Sequence, residues 1–325
     1  MRRIIQYIRA SEWWEYKFTP VLMISYLLVL QLQMDFATAS SLLFFILLSL
    51  IPGGIFVSIL NDITDIKLDA LAGKKNRMKN FSKFQRGVFL TLSILLGLLS
   101  VWILRTVPMA MTFYLLCGFS YIFYSVKPFR LKEKGVWGIL ADAFGSQVFS
   151  TLYATFLVLA NTKIEIPTLQ ILLIAVWSAC FGIRGILWHQ FHDLENDRKS
   201  GIYTVVQSFS NRKIMITGSL LMSIEVIALF GIILLSQQYW CFAALLLYLG
   251  YIVDRRLRFY TEITPFKYTR QDYCILMNEC YQIFLPVTLL VLLSLSDPYF
   301  ITLLVAHLCL FPIGIMQVGK IVFLR

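Results

Sequence analysis

Long apolar runs separated by short polar stretches dominate this chain. The runs are too long and continuous for barrel strands, so α-helices are the expected spanning elements, because a helix satisfies its own backbone hydrogen bonds in lipid. Ten candidate spans follow from the pattern, at about 18–34, 39–60, 88–104, 108–126, 136–160, 168–191, 214–235, 239–254, 281–295 and 299–319. Segment 239–254 is short against the ~20 residues a crossing needs, and 281–295 is short unless it extends back to Met277. The sequence therefore predicts an all-α, polytopic membrane helical bundle of nine to ten transmembrane helices, with residues 1–325 forming a single integral-membrane domain.

Composition agrees: 58% of residues are hydrophobic, 14% are charged, and the mean hydropathy is +0.74. A soluble domain carries about a quarter charged residues. The net charge of +11 raises nucleic acid as a partner, but the distribution of the charge removes that reading. With the N-terminus inside, all 29 Lys and Arg except Arg105 and Lys163 fall on one side, and Asp35, Glu165 and Asp297 fall opposite. This positive-inside pattern accounts for the charge and places both termini in the cytoplasm; nine spans would move the C-terminus outside. The opening Met1-Arg2-Arg3-Ile4 lacks an apolar run followed by a small-residue cleavage site, so no removable leader is expected. The six cysteines show no CxxC or Cys-His pairing and read as small apolar side chains.

Two acidic clusters stand where out-to-in apolar segments end on the cytoplasmic side. In Asn61-Asp62-Ile63-Thr64-Asp65-Ile66-Lys67-Leu68-Asp69, the acids Asp62, Asp65 and Asp69 fall at i, i+3 and i+7, and Asn61 joins them through Asp65. Like charges some 6 Å apart repel by roughly 3 kcal/mol at an effective dielectric of 20, so a cation is needed to hold them together. Hard oxygen ligands without clustered Cys or His suit Mg²⁺, which takes one or two carboxylates plus water and substrate phosphate. The plainer alternative is a solvated helix end with its acids paired to Lys67, Lys74 or Lys75. In His192-Asp193-Leu194-Glu195-Asn196-Asp197, Asp193 and Asp197 are one turn apart, and His189 and His192 are better suited to hydrogen bonding than to Mg²⁺. The pairs 18–60 and 136–191 each end in one cluster, a weak internal repeat that brings the clusters together around a central cavity.

Cationic candidates lie nearby. Lys127, Arg130 and Lys132 surround Pro128 after Tyr124-Ser125, and Arg184 sits inside an apolar span, where it needs a partner or a cavity. Lys74, Lys75, Arg77 and Lys79 form a second basic run, and Arg255, Arg256 and Arg258 a third; such runs are commonly solvated or headgroup-facing. Tyr121, Tyr124, Trp188 and Phe191 are candidates for stabilising a cation by their ring faces, against the competing reading of core packing. Asp142 and Glu225 are further intramembrane acids with acceptor-side or base roles, or else interhelical bonds.

These residues resemble the UbiA superfamily of intramembrane prenyltransferases. The first family signature stands intact as Asn61, Asp62, Asp65 and Asp69, and the second as Asp193 and Asp197, followed by Gly201 and Thr204. The Tyr124 to Lys132 stretch is similar to the matching loop in the chlorophyll synthase and geranylgeranylglyceryl-phosphate synthase branches. His192 before Asp193, the missing Arg-Pro pairing after Asp69 and the extra segment 299–319 depart from the family pattern.

The resemblance implies helices around a central cavity and a magnesium-dependent transfer of a prenyl group. The donor is an isoprenyl diphosphate and the acceptor an aromatic or lipid-like molecule. Mg²⁺ would sit on Asp62, Asp65, Asp69, Asp193 and Asp197, with Asn61, Tyr124, Lys127, Arg130 and Arg184 around the diphosphate. The protein would lie in a bacterial or archaeal plasma membrane or an organelle membrane, surrounded by its lipids, with its site toward the cytoplasm. A terpene cyclase on the same scaffold is the nearest alternative. A transporter is a further one, disfavoured because the acids hug one membrane face rather than the midplane.

Overall fold

A computed structural model describes residues 8–71, 73–199, 201, 203–269 and 271–323. Residues 1–7, on which the expectation about a leader rests, lie outside the described residues. Among the described residues the fold is helical apart from a two-stranded parallel sheet of three-residue strands, β1 (Glu262–Thr264) and β2 (Tyr273–Ile275).

Helix α1 (Ala10–Gln31) is buried along most of its length, from Trp13 through Val29. Helix α2 (Phe36–Leu71) runs for 36 residues, about 54 Å at 1.5 Å per residue. That exceeds a hydrocarbon core of about 30 Å, so its acidic last turns extend beyond the lipid. A reciprocal Ser82–Gln85 capping box starts α3 (Lys83–Leu104), and Pro108 opens α4 (Pro108–Ser125).

Next come α5 (Val136–Ala143), a π-turn (Phe144–Val148) and α6 (Phe149–Leu159). Helix α7 (Thr168–His192) stops at Asp193, after which the short α8 (Leu194–Lys199) begins. Ser210 caps α9 (Asn211–Ser236), which packs along α7, and α10 (Cys241–Phe259) follows. A second π-turn (Cys280–Phe284) precedes α11 (Leu285–Ser296), and α12 (Ile301–Leu310) and α13 (Pro312–Phe323) close the chain.

The expected nine to ten transmembrane helices must be corrected. Among the described residues four helices, α2, α3, α7 and α9, are long and apolar enough to cross a membrane. A fifth crossing is added if the final pair, bent by 81° at Phe311, counts as one span. The physical reasons are local. Residues 136–160 carry Asp142, Ser146, Gln147, Ser150 and Thr151 within their apolar run, and the apolar helix Cys280–Ser296 is too short for a crossing. Helix α1 carries Glu12, Glu15 and Lys17 in its first half, and α10 ends in Asp254, Arg255, Arg256 and Arg258. Glu15 is buried and accepts the Ile313 and Gly314 N–H groups at 2.7 and 2.8 Å, capping α13. The chain remains an integral, multi-pass membrane protein by its apolar helices.

The main core surrounds α1, α6, α7, α9 and α11, and a smaller one of Ile139, Ile186, Leu187, Val206 and Phe266 lies under the polar end of α7. Gly182 permits close contact between α5 and α7: a Cβ there would meet the Ala143 carbonyl oxygen at 2.9 Å.

Candidate active site

A cavity of about 820 Å³ opens among α1 to α5 and α7, and both acidic clusters line it. Asp62, Asp65 and Asp69 enter from the last turns of α2; Asp193 and Asp197 enter from the junction of α7 and α8. The helix breaks at Asp193, yet the Asp197 N–H donates to the Asp193 carbonyl at 2.9 Å and keeps the two acids one turn apart.

Lys74, just past α2, reaches the second cluster. Its Nζ lies 3.1 Å from Asp193 Oδ2 and 3.9 Å from Asp197 Oδ1. Burial pushes the Asp197 carboxyl up to about 6, with Asp193 adding to the rise and Lys74 opposing it.

The three acids of α2 have different surroundings. Asp65 is clamped: Arg130 Nη2 donates to Oδ1 at 2.8 Å, and Lys132 Nζ reaches both oxygens at 2.6 Å. Burial lowers the Lys132 ammonium from its usual range, against the pull of Asp65. Asp69 accepts from Asn76 Nδ2 at 2.6 Å, and the same amide donates to the Asp62 carbonyl at 2.7 Å. Asp62 itself is buried; Arg9 Nη1 lies 3.4 Å from its Oδ1, while its Oδ2 is buried without a hydrogen-bond partner.

That bare oxygen and the hard-oxygen donor set fit Mg²⁺. Among the described residues no three His, Cys, Asp or Glu side chains converge as a cage. The fit is therefore to ions that complete their shells with water and phosphate oxygens, the usual habit of Mg²⁺.

Other sequence candidates divide. Asn61 lines the cavity and accepts from the Ser125 hydroxyl, and Tyr124 lines it too. Arg130 is buried behind Asp65 and also bonds the Thr64 and Ser125 carbonyls, each at 3.3 Å. Lys127 is exposed and does not line the cavity, because the turn at Pro128 carries it outward.

Arg184 lies away from the cavity lining. It is 1% exposed, pairs with Glu225 through Nε and Nη2 at 2.7 Å each, and donates to the Pro265 and Leu276 carbonyls. Tyr281 also donates to Glu225, at 2.8 Å. This closed network holds α7 to α9 and to the 260–280 connection, and neither charge reaches the cavity. Trp188 donates to the Tyr273 hydroxyl at 3.1 Å and Phe191 stacks on Phe266, so both pack outside the lining, whereas Tyr121 lines it.

Sequence reasoning passed over Arg9, Glu12 and Asn76. Arg9 and Arg77 share Glu12, the latter at 3.0 Å, beside the α2 acids. Arg9 and Glu12 belong to the density of charge just before the first apolar run, the signal available for them; Asn76 stands seven positions past Asp69, a helical interval, but beyond the end of α2.

No curated protein matches the chain. Its fold is similar to a UbiA homologue from Archaeoglobus fulgidus solved with DMAPP and Mg²⁺, at a TM-score of 0.55 and 13% identity, covering 89% of this chain and 97% of that one. The structure of a UbiA homologue from the same organism bound to GPP and Mg²⁺ gives a TM-score of 0.54 at 13% identity, covering 89% and 99%. The family model described as the UbiA prenyltransferase family matches residues 20–270, which is most of the chain, and the protein therefore belongs to the UbiA prenyltransferase family.

Proposed function

We propose that the cavity binds an isoprenyl diphosphate between its two acidic walls and passes the prenyl group to an acceptor within the same cavity, releasing diphosphate. The protein is a Mg²⁺-dependent prenyltransferase. The carrying observation is that acids from α2 and from the α7–α8 junction line one cavity, and that Lys74, which follows α2, pairs with both acids of the second wall. Carboxylates held this way need positive charge between them, and a magnesium-bound diphosphate supplies it.

Asp62, Asp69, Asp193 and Asp197 would hold the metal, with Asp62 offering an oxygen that nothing else occupies. Mg²⁺, when bound, neutralises charge growing on the departing diphosphate. Lys74 turns from the acids to the diphosphate as that charge arrives, while Arg130 and Lys132 hold Asp65 and place positive charge at the same wall. The prenyl tail lies along Ile94, Leu98 and Val101 of α3 and Leu115, Phe119 and Ile122 of α4, an apolar wall of the cavity. Tyr121 and Tyr124 stand beside it and offer ring faces to an allylic cation. The lining excludes water that would quench that cation.

The acceptor is aromatic or lipid-like, residues 1–325 act as one domain, and the cavity mouth faces the cytoplasm, where the basic loops lie. Similarity of the Tyr124–Lys132 loop supports a place near the chlorophyll synthase and geranylgeranylglyceryl-phosphate synthase branches. The test is incubation of the purified protein with Mg²⁺, candidate prenyl diphosphates and a lipid or aromatic extract, followed by mass analysis. A prenylated acceptor with acceptor-dependent diphosphate release supports transfer. A cyclic hydrocarbon or alcohol formed from the diphosphate alone overturns it in favour of cyclisation.

A further inference from the structure

The cavity contains a second polar group that neither metal nor diphosphate requires. Lys17 of α1, Asp142 of α5, Ser146 of the first π-turn, and His189 and Gln190 of α7 all line it. Lys17 Nζ donates to Ser146 Oγ at 3.0 Å and lies 3.7 Å from Asp142 Oδ2, an ion pair too long for a hydrogen bond. Asp142 Oδ2 and Gln190 Oε1 are buried with no hydrogen-bond partner, and Gln190 as a whole is only 9% exposed. An unmade hydrogen bond at a buried polar atom costs about 1–3 kcal/mol. Both bare atoms are acceptors, so the missing partner is a donor. Lys17, with ammonium protons to spare, can in turn donate to an oxygen on that partner.

Position adds to the chemistry. Gln190 precedes Asp193 by three residues on the same face of the chain's turn, about 4.5 Å back along α7. A group bound there lies one helical turn inward from the carboxylates assigned to the diphosphate, which is where the first carbon of a prenyl chain would hang. His189 also lies within electrostatic reach of Lys17, Asp142 and Asp193, so the two polar groups adjoin.

We propose that this group is the acceptor's docking subsite and that it selects a neutral hydroxyl, a phenol or an alcohol. The O–H donates to Asp142 Oδ2 or Gln190 Oε1, and the hydroxyl oxygen accepts from Lys17 Nζ. A methyl ether of the same shape leaves both buried acceptors bare. A carboxylate head does the same and also faces Asp142 charge to charge. The inference rests on the prenyl-transfer reading of the cavity and extends it to the class of acceptor.

The test uses the full chain in nanodiscs of zwitterionic phospholipid with Mg²⁺ and geranyl diphosphate, and equilibrium dialysis corrected with empty nanodiscs. The probes are 1-naphthol against 1-methoxynaphthalene and 1-naphthoate, and 1-decanol against methyl decyl ether. At least one hydroxyl probe is expected to bind about tenfold or more tighter than its ether, the range for a hydrogen bond to a charged group. Preference in the naphthol set alone assigns a phenol, and preference in the decanol set alone an alcohol. Asp142→Leu and Gln190→Leu should each shrink that preference severalfold while Mg²⁺-dependent geranyl diphosphate binding persists as the sign of a folded protein. Equal binding of hydroxyl and ether, tighter binding of 1-naphthoate, or a preference that survives both substitutions overturns the subsite. Wild-type protein that does not bind geranyl diphosphate with Mg²⁺ overturns the prenyl-transfer reading as well.

Discussion

Replacing Lys74 by Met separates its two assigned roles, cation in the empty cavity and partner of the diphosphate. In the ligand-free protein its Nζ lies 3.1 Å from Asp193 and 3.9 Å from Asp197, with all three side chains partly exposed. Each contact is then worth about 1 kcal/mol, nearer the solvated than the buried limit. Together they oppose Mg²⁺ by about 2 kcal/mol, or roughly 30-fold in affinity. Calorimetric titration of Mg²⁺ at pH 8, well above the Asp197 value of about 6, should show tighter binding to Lys74→Met than to wild type. Geranyl diphosphate at saturating Mg²⁺ should bind the same variant about tenfold more weakly, since one favourable charge–phosphate contact is gone. Mg²⁺ binding that is unchanged or weakened refutes the idea that Lys74 holds a place between the acids that metal later takes.

Three further outcomes follow from the same geometry. Asn76→Leu removes the amide shared by the Asp62 carbonyl and Asp69 and should raise the Mg²⁺ concentration for half-maximal turnover severalfold, since a lost bond of this kind is worth about 1–3 kcal/mol; an unaltered Mg²⁺ dependence would show that Asp69 needs no positioning. Arg184→Met should cost about 3–5 kcal/mol of stability by stranding Glu225, and should lower thermal stability without changing geranyl diphosphate affinity in the protein that remains folded; a selective loss of affinity at unchanged stability would return Arg184 to the diphosphate site. The Asp197 carboxyl, held at about 6 against an ordinary 3.8, must lose its proton to bind metal, so Mg²⁺ affinity should fall about tenfold from pH 8 to pH 5. The same raised value means that its contribution to folding stability is largest below about pH 4 and fades as pH rises toward 6. A flat calorimetric pH profile would exclude Asp197 as a ligand.

Features with a local cause were legible in the sequence. The acids of α2 repeat at helical spacing inside one continuous helix, so their shared wall follows from 3.6 residues per turn. Asp193 and Asp197 kept a one-turn relation even though α7 ends between His192 and Leu194. The pairing of Arg184 was not legible because its partner, Glu225, is 41 positions away on another helix, and no local pattern joins them. Lys127 and Arg130 looked alike in sequence, but the turn between them directs one outward and buries the other. The span count failed for a related reason. Hydropathy registers an apolar run whether it faces lipid, as much of α3 does, or is enclosed by neighbours, as α1 is. It also counts a run such as Cys280–Ser296, which is apolar but too short for a crossing.

The most direct measurement is equilibrium binding of geranyl diphosphate to the nanodisc-held protein with and without Mg²⁺, comparing wild type, Asp62→Ala and Asp193→Ala. Binding should require Mg²⁺ in the wild type and be lost when either acidic wall is cut, because both walls line one cavity. Wild-type affinity in either variant, or binding indifferent to Mg²⁺, would contradict a shared metal–diphosphate site.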